Sequence, residues 1–578
     1  MKSAKPRKAK HAVPVAVFEP PPAGYVRYWP YAAGLFLAFF VVLEIYWPAV
    51  RGPFILDDTY LPYGMDTYAD VPLKGWLQGL RPVLMFSFWL NFQQAVNQDT
   101  FPYHLVNFLL HFANGLLIFF AVRKVMSWAG VEGQLREVLS VFAAGLFLFH
   151  PLQTESVTYI ASRSETLSVF WLLAAFVVFL YRPGNIIFAL RAVAVIALFG
   201  LAVLTKEHTA VLPALFLLTD YFWNPGFSLA GIRRNWRLYV PLVMAGAAAL
   251  AMVWRVLRGA GSSAGFGLGL FTWYQYFFTE CRVVWDYLRL FLLPVGQNLD
   301  ADFPISRTLL DHGALFGLIG IIAVTALAWI YRRRFPLASY GWLTFLILVA
   351  PTSSFVPIKD PFAERRLYLP FIGLLFIVVE FLRRWKTSRN VMIGALGVVL
   401  VAEAALTYQR NQLWSNSIDL WKDTVSKSPS AIRPRFQLAF AYYAAGACGE
   451  SAQEFQKASE LEPPKADLLL DWALAYDCDG KPEIAVTKLK QAAQLGASAH
   501  VYQQLGNEYG RMGKYPEALD ALETAVRLDP VFSMTYFTRG NVYLSEGNKT
   551  QAAEDYRHAI ELDPRNDLAR RALAKTGQ

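Results

Sequence analysis

Three clusters of ionisable residues sit between long apolar blocks, and each has side chains suited to group transfer. The first is Asp57-Asp58 in RGPFILDDTYLPYG, residues 51–64. A carboxylate near a low-dielectric surface, beside a like charge, gains proton affinity and suits a general base that deprotonates an attacking hydroxyl. The same pair could help hold a divalent cation, Mg2+ or Mn2+, or merely cap a loop. The second cluster is HPLQTESVTYIASRSETLSVF, with His150, Glu155, Arg163 and Glu165. Pro151 stops the preceding helix and leaves His150 at its outer end. Glu155 and Arg163 read either as pocket residues or as an interfacial ion pair. The third is PTSSFVPIKDPFAERRLYLPFIGLLF, where Lys359, Glu364, Arg365 and Arg366 directly precede an apolar span. Arginines there either snorkel or grip a phosphate, a task that suits paired guanidinium groups. Lys206-Glu207-His208, Asp300 and Asp302 add charge in other short polar breaks.

The elements that must position these residues follow from composition. Of 578 residues, 55% are apolar and 17% charged, well below the quarter usual in soluble domains. Stretches 31–48, 104–122, 138–150 running into 157–181, 313–331 and 391–408 approach or reach the length of a membrane span. The expected fold class is all-α: a polytopic membrane domain over 28–410 with about eleven helices and an outer loop at 51–103, after a basic cytoplasmic tail at 1–27. A linker at 411–429 leads to a polar, alanine-rich solenoid over 430–578. The basic start followed by EPPPAG has no cleavage site, so the first apolar block reads as a retained helix. The net charge of +10 gathers beside membrane helices, which points to topology; no nucleic-acid motif is present and no such partner is expected.

Positive-inside orientation puts Arg123-Lys124, Arg182, Arg191, Arg233, Arg234, Arg237, Arg332-Arg333-Arg334, Arg383, Arg384 and Lys386 in the cytoplasm. This holds if residues 271–293, which carry Glu280, Arg282, Asp286 and Arg289, form an interfacial or re-entrant amphipathic helix. The three chemical clusters and the C-terminal array then share the extracytoplasmic side. If 271–293 spans, the array faces the cytoplasm.

The array shows a period near 34 residues. Ala439-Tyr442-Gly446-Phe455-Ala458-Pro463 aligns with Gly506-Tyr509-Gly513-Ala518-Ala525-Pro530 and with Gly540-Tyr543-Gly547-Ala552-Ala559-Pro564; Ala473-Tyr476-Gly480-Ala485-Ala492 is weaker. These are about four tetratricopeptide (TPR) repeats, which offer a concave surface for extended peptides, or serve as a spacer. Cys448 and Cys478 fall in adjacent repeats, so a disulfide is open to them on an oxidising side; Cys281 reads as inert.

FPYHLVNFLLHFANGLL, HPLQTESVTYIASRSETLS, LTKEHTAVLPALFLLTDYF, LFLLPVGQNLDADF, PTSSFVP with AERRLYLPFIGLLF, and the bridge TYQRNQLWSNSIDLW resemble, in order, blocks of one family. It is the transmembrane and TPR-containing (TMTC-like) protein O-mannosyltransferases, and the resemblance runs from the Asp57-Asp58 loop to the C-terminus. It implies a GT-C glycosyltransferase fold, an extracytoplasmic active site, dolichyl-phosphate mannose as donor and protein Ser or Thr hydroxyls as acceptors. The short array suggests a bacterial or distant member, in an inner membrane with periplasmic repeats or an ER membrane with lumenal ones. The expected roles are Asp57 or Asp58 as base and Arg365, Arg366 and Lys206 on the donor phosphate. His150, Glu155, Arg163, Glu207, Asp302 and Glu364 would shape the sugar or acceptor pocket, with the array docking the acceptor protein. No cofactor beyond a candidate divalent cation is indicated. Two alternatives differ in class: an O-antigen-type ligase or polymerase using diphosphate-linked oligosaccharides, and a non-catalytic membrane-anchored TPR scaffold or transporter.

Overall fold

A computed structural model describes residues 29–65, 68, 70–95, 99–259 and 264–577; the basic tail lies outside them. Among the described residues all regular elements are helices, with an isolated β-bridge between Ala264 and Ile358. The described residues fall into two units that divide after Val41, within the apolar Trp29–Tyr46 helix.

Among the described residues five helices are long and apolar enough to cross a membrane: Ala32–Ala49, Phe101–Trp128, Ile160–Leu180, Asp311–Ile330 and Arg389–Trp414. A sixth arises if Gly133–Phe149 and Pro151–Thr158, bent by 51° at the proline, count as one. Five shorter apolar helices accompany them, Pro82–Phe92 and Ala189–Thr205 among them. The Trp273–Leu292 helix has 20 residues, enough for about 30 Å at the helical rise, yet its four charges keep it out of the apolar set. It buries Tyr276, Val283, Val284, Tyr287 and Leu290 on one face and leaves Trp273 and Leu292 exposed at its ends.

Close helix contacts set the chemical loops. Gly341 and Gly373 let Pro336–Val349 and Phe371–Leu382 meet backbone to backbone, since a Cβ on Gly341 would lie 2.4 Å from the Gly373 carbonyl oxygen. The loop between these helices carries Glu364-Arg365-Arg366. Tyr368 pins its far end: its hydroxyl lies 2.9 Å from His111 Nδ1 and accepts from Asn114 Nδ2 at 3.0 Å, both on Phe101–Trp128. From that same helix Asn107 accepts from Arg163 Nε at 2.8 Å and donates to the Val157 carbonyl at 3.2 Å.

Residues 411–429 are helical rather than loose chain. The Arg389–Trp414 helix continues into them, and Ser417–Lys427 follows behind an Asn416 cap. Trp414, Leu420 and Trp421 pack into one cluster with Ala49, Ile55, Tyr159, Leu299 and Leu438, tying the bridge to the loops. Four antiparallel helix pairs then run from Ile432–Ala444 to Lys549–Leu562, followed by Asp567–Thr576. Each pair turns on a glycine with positive φ, at Gly446, Gly480, Gly513 and Gly547, a conformation that a side chain would strain. Cys448, opening one helix, is bonded to Cys478, closing the next, with Cα atoms 5.6 Å apart.

Candidate active site

The Asp57-Asp58 pair is split by a tight turn. Residues Leu56–Thr59 form one 3-10 turn, entered with Leu56 at φ 47°, a strained value for a branched apolar residue. Asp58 points inward and is fully buried. Its carboxylate accepts from the Tyr63 hydroxyl at 2.7 Å, the Ala161 amide at 2.8 Å and the Ile55 amide at 3.1 Å. Burial pushes its pKa up to about 7 against the pull of these donors. Asp57 is thereby turned outward, and its amide donates to the Tyr159 hydroxyl at 3.0 Å.

Asp57 lines a small pocket with Leu56, Tyr159, Leu299, Asp300, Asp360, Phe362, Ala363, Arg365 and Arg433, holding about 70 Å³. Arg365 reaches it from the loop before Phe371–Leu382. Its amide donates to Glu155 Oε2 at 2.9 Å and its guanidinium pairs with Oε1 of the same carboxylate. Burial works against the Arg365 charge, but Glu155 and neighbouring groups outweigh it and hold the guanidinium above its ordinary pKa. Glu155 is therefore the anchor of Arg365. Arg433, from the first repeat helix, bridges Asp300 and Asp360 across the pocket wall. Partial burial works to raise the Asp360 pKa, but Arg433 and, more weakly, Arg365 and Arg366 hold it below the ordinary carboxylate range.

The other expected site residues lie elsewhere. Arg366 turns away from the pocket and donates to the carbonyls of Asp360 and Pro361, so of the expected pair Arg365 lines the pocket and Arg366 does not. Lys206 caps Ala189–Thr205 and pairs with Glu165, while Glu207 takes both Arg81 contacts, at 2.9 and 2.6 Å. Burial raises the Glu207 pKa, yet Arg81 overrides it and leaves it at about 2. His208 stands 3.5 Å from Glu165. His150 is buried, with Nε2 3.0 Å from the Phe291 carbonyl and Nδ1 accepting from the Leu152 amide. Arg163 is spent on Asn107 and the Ser87 and Tyr103 carbonyls. Glu364 is buried and accepts the Asn298 amide at 2.6 Å. Asp302 is exposed, its amide donating to Ser428. Among the described residues no three His, Cys, Asp or Glu side chains form a metal-holding set.

A tetratricopeptide-repeat family profile matches residues 504–574. Over 91% of this chain the sequence is 22% identical to human protein O-mannosyl-transferase TMTC3, of which the match covers 64%. Over 66% it is 24% identical to protein O-mannosyl-transferase F38B6.6 of Caenorhabditis elegans, covering 54% of that protein. Its similarity is to the protein O-mannosyl-transferases. The chain thus spans less than two-thirds of the length of these relatives. Among solved structures, TTC0263, a thermophilic TPR protein of Thermus thermophilus, matches 32% of this chain and 95% of its own at 21% identity and a TM-score of 0.25.

A carboxylate exposed beside a fixed guanidinium can accept a proton at one end of a reaction and meet developing negative charge at the other. Tyr159, Asp360, Arg433 and Arg81 were not singled out as site residues from sequence. Tyr159 and Asp360 lie inside the blocks quoted above, but no local pattern separates them from their neighbours. Arg433 falls in the repeats, where no sequence pattern sets it apart from the other arginines.

Proposed function

We propose that this chain is a membrane glycosyltransferase that moves a sugar, mannose first, from a polyprenyl-phosphate donor to a protein Ser or Thr hydroxyl on the extracytoplasmic side. The observation that carries the reading is that Asp57 and Arg365 line one pocket. The acceptor hydroxyl gives its proton to Asp57, and its oxygen bonds to the anomeric carbon. The bond from that carbon to the phosphate oxygen breaks, and its electron pair leaves with the lipid phosphate. Arg365, locked by Glu155, meets the added charge without having to reorganise. Asp58 holds the turn that presents Asp57.

Two features support the membrane and its side. The apolar helices are consistent with a polytopic chain, and a bond such as Cys448–Cys478 persists best in an oxidising compartment such as the periplasm or ER lumen. The activity for which the relatives are named supports the mannosyl choice.

The test uses the full chain in lipid nanodiscs with polyprenyl-phosphate mannose, a Thr-containing peptide and mass spectrometry. Wild type adds one hexose, and D57N loses at least about a hundredfold in rate, the span of a general base. If D57N and D57A both transfer at the wild-type rate, Asp57 is not the base. A diphosphate-linked oligosaccharide donor run in parallel separates the O-antigen-type reaction, because only that chemistry would use it.

A further inference from the structure

We infer that the turn at residues 331–335 is a binding site for the phosphate of an anionic phospholipid headgroup, at the far end of the helical hairpin that carries Arg365. The inference rests on the membrane setting and is independent of the sugar chemistry. The segment AWIYRRRFPL, residues 328–337, sets three consecutive arginines between aromatic residues. Cations at a helix end set topology by charge alone, and lysines would serve as well. This turn does something that charge alone does not require. The Arg334 and Phe335 amides both donate to the Tyr331 carbonyl, at 2.8 and 2.9 Å. Around that tight turn each guanidinium lies over a ring: Arg332 over Trp329 at 4.3 Å, Arg333 over Phe227 at 5.6 Å and Arg334 over Phe335 at 5.6 Å. Arg384, which follows the Phe371–Leu382 helix, also lies over Phe335, at 4.3 Å.

A guanidinium over a ring commits its face and keeps its in-plane N–H edge, which matches a phosphate. Those edges have no acid of their own here. Glu380 is buried beside the turn, but its carboxylate is already taken. It accepts from the Leu337 amide at 3.1 Å and pairs with Arg383 at 2.9 Å and with Arg384. Arg384 also donates to the Arg334 carbonyl, and Arg332 to the Trp329 carbonyl, which fixes where both point. Among the described residues Arg332, Arg333 and Arg334 pair with no carboxylate, and Arg333 and Arg334 are exposed. The buried Arg332 Nε has no hydrogen-bond partner among them. Three neighbouring guanidinium groups without a counter-charge are complementary to an anion.

Depth selects a lipid over a dissolved anion. The Asp311–Ile330 helix is apolar enough to cross a membrane, and little of it is buried against the rest of the protein. Its last turn exposes Leu327, Trp329 and Ile330, and the exposed Tyr331 follows. Trp385, next to Arg384, is exposed as well. Exposed Trp and Tyr at the end of an apolar helix mark headgroup level. The guanidinium edges therefore lie at the depth of lipid phosphates. Pro336–Val349 and Phe371–Leu382 separate this turn from the loop that carries Arg365, and the first of them, with 14 residues, is about 21 Å long. The headgroup held here is thus distinct from the donor phosphate proposed at the pocket.

The experiment uses the full chain in nanodiscs of equal parts phosphatidylglycerol and phosphatidylcholine, released into detergent for native mass spectrometry. Wild type is expected to retain phosphatidylglycerol in preference to phosphatidylcholine. R332K/R333K/R334K keeps the charge and the topology signal, yet is expected to lower that preference at least about fivefold, because an ammonium lacks the planar fork. R233K/R234K, changed in another basic loop, is expected to stay within about twofold of wild type, since no fork is lost from the site. Inorganic phosphate in excess is expected to leave the lipid in place. If the triple variant does not fold, R333K alone decides, because its side chain is exposed; it is expected to lower the preference about twofold. Equal retention of the two lipids by wild type overturns the inference. So does a folded lysine variant of the turn that retains phosphatidylglycerol as wild type does, an equal loss in R233K/R234K, or displacement of the lipid by phosphate.

Discussion

Adjacent residues can have opposite fates, and Asp57 and Asp58 show why. On a 3-10 turn successive side chains are about 120° apart, so Asp57 and Asp58 point in different directions. Asp58 takes the buried direction with three donors. Replacing it with alanine strands the buried Ile55 amide and Tyr63 phenol and the half-buried Ala161 amide, at a cost of about 3 kcal/mol. D58A is therefore expected to lower the melting temperature and the yield of folded protein, whereas D57N keeps both near wild type and loses transfer. Thermal scanning of the two purified variants checks this; equal stability would mean that Asp58 does not hold the turn. Arg365 and Arg366 repeat the lesson, one facing the pocket and the other clasping the carbonyls of its own loop.

At the scale of elements, short loops are held by buried acids and by covalent or turn constraints. Glu364 sits under the Asn298 amide, with burial pushing its pKa up to about 7. An unfolded glutamate titrates near 4.3, so between these values the folded chain holds more protons than the unfolded one, and stability falls as pH rises from about 4 to about 7. E364Q should flatten part of that slope, read as melting temperature at pH 5, 6, 7 and 8; an unchanged slope would show that Glu364 does not titrate there. Glu207 works in the opposite sense, its contribution being lost as pH drops toward about 2. In the array, the Cys448–Cys478 bond closes a loop of 30 residues. Loop entropy gives such a bond about 3 to 4 kcal/mol. Reductant or C448S is expected to lower the melting of the array, and a melt indifferent to both would mean that the bond is not formed in the protein as made.

Across the whole molecule, the proposal requires the array and the pocket to share one side of the membrane. Cysteines introduced at Arg333 and at an exposed array position such as Lys549 should label from opposite faces of sealed vesicles, and labelling from the same face would break the link between array and pocket. Much of the architecture was legible in order: apolar runs, the repeat's small residues and turn glycines, and the blocks around His150 and Arg365. Hydropathy and period are local properties, and they bring an all-helical fold and TPR units into view without tertiary contacts. The site is another matter. His150, Arg163 and Glu364 have the residue types of a pocket, but their buried partners make them parts of the frame. Which aspartate is free depends on the direction of one turn. Arg365 meets a carboxylate 210 positions away, and Arg433 meets Asp300 across 133. Sequence alone determined the kinds of element and the pool of charged residues; only the tertiary structure chose which of them face the pocket, because burial and pairing are set by neighbours distant in the chain.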